Sequence, residues 1–126
     1  MILVEVSIGE ILDKLTILSI KKNKISDTQK LVHIEKEYEI LKERSKQYLD
    51  SSEVRETFEE LIEVNSKLWV IEDDLREMES ENRFDEEFVE KARLVYKTND
   101  HRFALKNKIN LLTDSGVQEQ KGYKSY

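Results

Sequence analysis

The sequence has no cysteine and no proline, and only three of its 126 residues are glycine. Without cysteine the chain can form no disulfide, no thiolate zinc site and no thiol nucleophile. The scarcity of proline and glycine removes the usual turn residues of β-rich folds, so a sandwich or barrel is not expected. No apolar run approaches the ~20 residues that a membrane-spanning helix needs. Because the N-terminus also lacks the basic region of a secretory signal, we expect a cytoplasmic protein without a membrane segment.

Charge is abundant and unevenly distributed. Charged residues make up 38% of the chain, which is typical of a charge-rich helical protein. Residues 51–90 carry 15 acidic and 4 basic side chains, whereas residues 91–126 carry 8 basic and 3 acidic ones. A basic C-terminal third is compatible with nucleic acid binding. The adjacent acidic segment favours a simpler interpretation, in which the two segments neutralise each other within the fold, so nucleic acid is not an expected partner.

Hydrophobic spacing and capping motifs predict an all-α protein that forms a single domain over residues 1–126. The helices are expected to form an antiparallel bundle or paired helical hairpins. Ser7 and Asp85 are predicted N-caps. A short extended apolar segment or strand at residues 2–6 is expected before the first helix, and a polar, flexible tail at residues 113–126 after the last. The four predicted helices span about 8–24, 28–49, 53–80 and 86–112.

The first predicted helix is apolar on two sides. Ile17 and Ile20 lie away from its main stripe, which consists of Ile8, Ile11, Leu12, Leu15 and Leu18. A helix of this kind is either central to a bundle or part of an oligomer interface. In the second and third helices the apolar residues step by three and four, as in heptads. We therefore expect a homo-oligomer, most simply a dimer.

Polar residues interrupt the apolar arcs of the third and fourth helices. In the fourth helix, Asn99, Arg102, Lys106 and Asn110 share an arc of roughly 100° with Phe88, Ala92, Val95 and Phe103. The third helix places Asn65, Glu72 and Arg76 in its apolar arc in the same way. If the two helices form an antiparallel hairpin about residues 81–85, Asn65 lies near Asn99, and Trp69 lies near Tyr96. The polar residues are therefore expected to face one another as a layer across the helix pair.

Three interpretations of this layer remain open. In the first, it is a hydrogen-bonded network that fixes the register between helices. In the second, it lines a pocket in which arginine and lysine side chains meet an anionic ligand, such as a phosphate or carboxylate compound. A catalytic use of Glu72 as an acid or base is a third, less favoured interpretation. The candidate ligand-binding residues are Asn65, Trp69, Glu72, Arg76, Tyr96, Asn99, Arg102 and Lys106.

No catalytic motif, metal site or cofactor site is predicted. His33 and His101 fall on different helices and lack zinc-ligand spacing. Glu60 and Glu63 form an ExxE step like that of helical nucleotide pyrophosphohydrolases, but no ExxD partner follows. The leading hypothesis is a non-enzymatic protein-interaction module. The alternative is a small-molecule-binding protein or a small enzyme, with its site between helices 3 and 4.

Three segments, VSIGEILDKLTIL, LWVIEDDLRE and VYKTNDHRFALKNKINLL, resemble an uncharacterised family of short bacterial-type all-helical proteins, classified as a domain of unknown function. The resemblance extends from Val4 to about Tyr123 and implies a complete helical domain. Because that family has no assigned activity, the resemblance implies no substrate, mechanism or catalytic residue. The segments include Glu72, Arg76, Asn99 and Arg102.

Overall fold

The computed structural model describes residues 1–114, and within this range the chain is all-α, as predicted. None of the helices in this range is both long and apolar enough to cross a membrane. The predicted second helix is an α-helix whose last part continues as a 3-10 helix. Most of the predicted tail, residues 115–126, lies outside the described residues. The elements are α1 (Ile8–Lys24), α2 (Thr28–Ser45), a 3-10 helix (Lys46–Asp50), α3 (Ser52–Ser80) and α4 (Glu86–Leu112).

Each α-helix is preceded by an N-cap residue, whose side chain accepts a hydrogen bond from a main-chain N–H of the first turn. These N–H groups have no partner inside the helix, so a capping oxygen stabilises the helix start. Both predicted caps are confirmed, since Ser7 Oγ accepts from Glu10 N at 3.1 Å and Asp85 Oδ1 accepts from Phe88 N at 3.1 Å. The four N-caps are Ser7, Asp27, Ser51 and Asp85.

A tight turn joins α3 to α4 and makes them a hairpin. Asn82 has a φ of 54°, in the left-handed region that asparagine tolerates better than most residues. The N–H of Arg83 then donates to the carbonyl of Met78 at 2.9 Å, which satisfies one of the free carbonyls at the end of α3.

The first helix lies at the centre of the described structure. α3 and α4 form the most extensive helix pair, α1 packs against both of them, and α2 packs along α1. This position explains why α1 is apolar on two sides without invoking a second chain. Its buried apolar residues, none more than 7% exposed, are Leu12, Leu15, Leu18 and Ile20.

The main core forms where α1 meets the hairpin, and α2 lies at its edge. Within α2 only Ser45 is fully buried, because α2 packs chiefly on one helix. Tyr38 and Leu41 of α2 are half-buried and pack against the core. The core cluster consists of Leu12, Leu15, Val54, Leu61, Val64, Leu105 and Ile109.

The N-terminal segment, residues 2–6, precedes α1 and forms neither a helix nor a strand. Ile2, Leu3 and Val4 are 88%, 86% and 74% exposed, respectively. Of the two structures expected for this segment, the strand is therefore absent. The apolar side chains extend into solvent.

Gly9, in the first turn of α1, marks the closest approach of α1 to α4. Its N–H is one of the free donors of the helix start, and Asn110 Oδ1 of α4 accepts from it at 2.7 Å. A Cβ atom at Gly9 would lie 2.7 Å from that oxygen and closer still to the main-chain oxygen of Lys106. Only a residue without a side chain fits here.

We predict that Gly9→Ala destabilises the protein, although alanine is the better helix former. The added methyl group must push α4 away, at a cost of about 1–3 kcal/mol in the free energy of unfolding. Urea unfolding followed by circular dichroism measures this change. Glu39→Ala, at an exposed position of α2, is the control and should change stability by less than about 0.5 kcal/mol. A Gly9→Ala variant as stable as the wild type would contradict the close packing.

Candidate functional site

The polar layer is built around one buried carboxylate, Asp13 of α1, which is 2% exposed. Arg102 of α4 binds it in a bidentate manner, with Nε 2.9 Å from Oδ1 and Nη2 2.6 Å from Oδ2. Asn65 of α3 donates from Nδ2 to Asp13 Oδ1 at 2.9 Å and to Thr16 Oγ1 at 2.6 Å. The Thr16 hydroxyl in turn donates to the carbonyl oxygen of Asp13 at 2.7 Å. One acidic side chain thus connects three helices.

This network meets the energetic demands of a buried charge. An unpaired carboxylate in the interior costs several kcal/mol, whereas a bidentate arginine neutralises it and satisfies both oxygens. Asn65 adds a third donor to the carboxylate. The side chain of Arg102 keeps 26% exposure, so the pair lies at the edge of the core.

Two further polar residues in the arc of α4 also contact α1. Lys106, 7% exposed, places Nζ 2.8 Å from Oε2 of Glu10. One turn further on, Asn110 accepts from the N–H of Gly9. The polar arc of α4 therefore faces α1 as well as α3, because α1 and α4 run antiparallel with these pairs in register.

The predicted layer across α3 and α4 exists, and α1 closes one side of it. A cleft of about 280 Å³ lies beside the Asp13 network. Asn65 and Asn99 both line it, as the hairpin register predicts. The described residues that line it are Ile17, Ile20, Asn65, Leu68, Trp69, Glu72, Asn99 and Arg102.

Three of the eight candidate residues do not line this cleft. Arg76 is exposed on α3, and Tyr96 is 45% exposed on α4. The expected proximity of Trp69 and Tyr96 stays a prediction. Lys106 is buried, but it lies in the ion pair with Glu10. The polar residues point in gradually different directions along each long helix, and α1 packs against only part of the hairpin. Some of them therefore lie outside the cleft.

The sequence interpretation missed Asp13, which is the centre of the network. The signal was present, because Gly9, Asp13, Thr16 and Ile20 step by four, three and four and so share one face of α1. All four are buried. An acid on such a face predicts a cationic partner elsewhere in the fold, and Arg102 supplies it.

A second cleft, of about 250 Å³, lies at the hairpin turn and is bordered by surface ion pairs. A hydrogen bond from Arg83 lowers the pKa of the Asp85 carboxyl, and the N–H of Phe88 lowers it further. The hydrogen bond to Asp74 raises the pKa of the Lys91 ammonium. Both shifts favour the charged forms, so these groups are ion-pair partners and are not poised for proton transfer near neutral pH.

The described residues contain no group of three or more His, Cys, Asp and Glu side chains that could hold a metal ion. The polar atoms of the Asp13 network are directed at one another. This arrangement holds helices together and presents no activated nucleophile.

One family model matches the chain, over residues 2–126, and its description is a family of unknown function, DUF6165. No curated protein and no solved structure gives a significant match.

We predict that Arg102→Met lowers the free energy of unfolding by about 3 kcal/mol, because it leaves Asp13 buried without its counterion. Arg83→Met is the matched control, since it removes an arginine that bonds two carboxylates at the surface. Its effect should be much smaller. Urea unfolding of both variants measures the difference.

Adding Asp13→Asn to Arg102→Met removes the orphaned charge, and the double variant should recover part of the lost stability. If Arg102→Met is no less stable than Arg83→Met, Arg102 is not a structural partner of Asp13.

Proposed function

We propose that this chain, which belongs to the DUF6165 family of unknown function, is a non-enzymatic helical interaction module that assembles into a homodimer. Its compartment in this proposal is the cytoplasm, as the sequence suggests. The proposal rests on how the polar residues are used inside the bundle and on one unpaired apolar segment at its surface.

The polar layer supports a structural role better than anion binding. Arg102 and Lys106, the two cations expected to hold a phosphate or carboxylate, bind Asp13 and Glu10 at 2.6–2.9 Å. An anionic ligand would therefore meet a guanidinium and an ammonium whose charges are already balanced by carboxylates of α1. In this proposal the interior of the bundle therefore has a structural role, and partner binding takes place at its surface.

The observation that carries the proposal is the exposure of the N-terminal segment. Residues 2–6 include four apolar residues, and Ile2, Leu3 and Val4 are each more than 70% exposed. Within the described part of the chain, the main chain of residues 2–6 forms no hydrogen bond. Exposed apolar side chains next to unpaired N–H and C=O groups are a template for strand pairing.

A second copy of the chain is the partner that this segment fits best. Antiparallel pairing about Val4 sets Ile2 opposite Val6, and leaves Ile2, Val4 and Val6 on one uniformly apolar face. Glu5 is the only charged residue in the segment, and this register keeps the two copies of Glu5 from lying directly opposite each other.

An isolated two-stranded ribbon is only marginally stable and needs an apolar surface to pack on. Leu111 and Leu112 are 67% and 38% exposed at the end of α4. They lie close to the beginning of α1, since the neighbouring Asn110 contacts Gly9. These leucines provide an apolar surface near the segment.

We predict that the wild-type chain is a dimer at micromolar concentration and that Val4→Lys makes it monomeric. A lysine at the centre of the paired segment would meet its own copy, and like charges directly opposite destabilise a strand pair. Size-exclusion chromatography with light scattering measures the mass, and circular dichroism confirms that the helices remain.

Val32→Lys is the matched control, because Val32 is an equally apolar residue, 65% exposed on α2 and remote from the segment. It should leave the dimer intact. A monomeric wild-type chain, or a Val4→Lys variant that remains dimeric, would overturn the proposal.

A further inference from the structure

We propose that the cleft between α1, α3 and α4 binds a small organic ammonium ion, an amine that carries a compact apolar body. The sequence alone suggests an anion at this place, because it puts three cations, Arg76, Arg102 and Lys106, in the polar layer. The structure reverses the sign of the expected ligand.

The charge balance of the cleft carries this inference. Among the described residues, its lining contains two charged side chains, Arg102 and Glu72. The guanidinium of Arg102 is neutralised by the buried carboxylate of Asp13, with which it shares two hydrogen bonds. Glu72 is half-buried, and no described residue forms an ion pair or hydrogen bond with its carboxylate. Within the part of the chain that the structure describes, the carboxylate of Glu72 is therefore the one charged group of the cleft without an ion-pair partner.

The rest of the lining suits a cation with an apolar body. Ile17, Ile20 and Leu68 form an aliphatic wall, and Trp69 contributes a half-buried indole. Indole faces attract ammonium groups, and their apolar area also packs against hydrocarbon. Glu72 follows Trp69 by three residues on α3, so the carboxylate and the indole lie on the same side of that helix.

The size and polarity of the cleft further restrict the kind of ligand that it can bind. The volume of about 280 Å³ is just below the range of pockets that hold drug-sized ligands, so the cleft suits a smaller molecule. Asn99 lines the cleft from α4, and no described residue forms a hydrogen bond with its amide. Its carbonyl oxygen can accept a second hydrogen bond from an ammonium group.

Trp69 allows a direct test, because it is the only tryptophan in the chain and it lines the cleft. Three probes share a phenylethyl group and differ in the charge of the group attached to it. Phenethylamine is a cation, 2-phenylethanol is neutral and 3-phenylpropionate is an anion. Each is titrated into the wild-type chain while tryptophan fluorescence is recorded. We expect phenethylamine to bind in the millimolar range, appropriate to about nine non-hydrogen atoms, and at least tenfold more tightly than the other two.

Glu72→Gln keeps the shape of the side chain and removes its charge. It should weaken phenethylamine binding about tenfold and leave the affinity for 2-phenylethanol unchanged. Glu63→Gln is the matched control, because Glu63 is an exposed acid on α3 that does not line the cleft. It should bind phenethylamine as the wild type does.

Tighter binding of 3-phenylpropionate would show that the cleft selects anions. Equal binding of all three probes would show apolar contact alone. Either result overturns the proposal, as does an unchanged affinity in Glu72→Gln or the absence of any fluorescence response. None of these results depends on the oligomeric state, so this test is independent of the dimer proposal.

Discussion

The ion pair between Asp13 and Arg102 is the interaction on which the arrangement of helices depends. A carboxylate that is 2% exposed cannot be left without partners, because the loss of hydration costs several kcal/mol. Its partners come from different helices, with Arg102 on α4 and Asn65 on α3. Sliding either helix by one turn past α1 would separate these groups. The apolar core supplies most of the burial, and the polar pair specifies the register.

The ion pairs inside the bundle determine which groups remain available for binding at its surface. Arg102 and Lys106, which would otherwise attract anions, form ion pairs with carboxylates of α1, while Glu72 lines the cleft together with Trp69. The apolar N-terminal segment is left outside the bundle. The two proposed binding regions are also separate on the chain, since the segment precedes α1 whereas Ile17 and Ile20 of the cleft lie in the second half of that helix.

Much of the candidate site follows from helical periodicity, and its errors have a common cause. The period of α3 and α4 identifies Asn65 and Asn99 as polar residues in apolar arcs, and the hairpin register brings them to one cleft. Arg76 and Tyr96 are not among the described residues that line the cleft, because a period measured along one helix does not say which part of that helix its neighbour covers. The same reasoning also missed Asp13, since one acid among the charged residues of α1 resembles an exposed residue until the helix is found to be covered on two sides.

The all-α class, most of the helix bounds and the N-caps Ser7 and Asp85 were determined by the sequence itself, because they depend on hydrogen bonds and side-chain spacing within a few residues. The tertiary structure alone decided which charges cancel. Asp13 and Arg102 are 89 residues apart in the chain, and nothing local to either one identifies the other. Electrostatic energy depends on distance in space, so the charge balance of the cleft emerges only when α1 is packed against the hairpin.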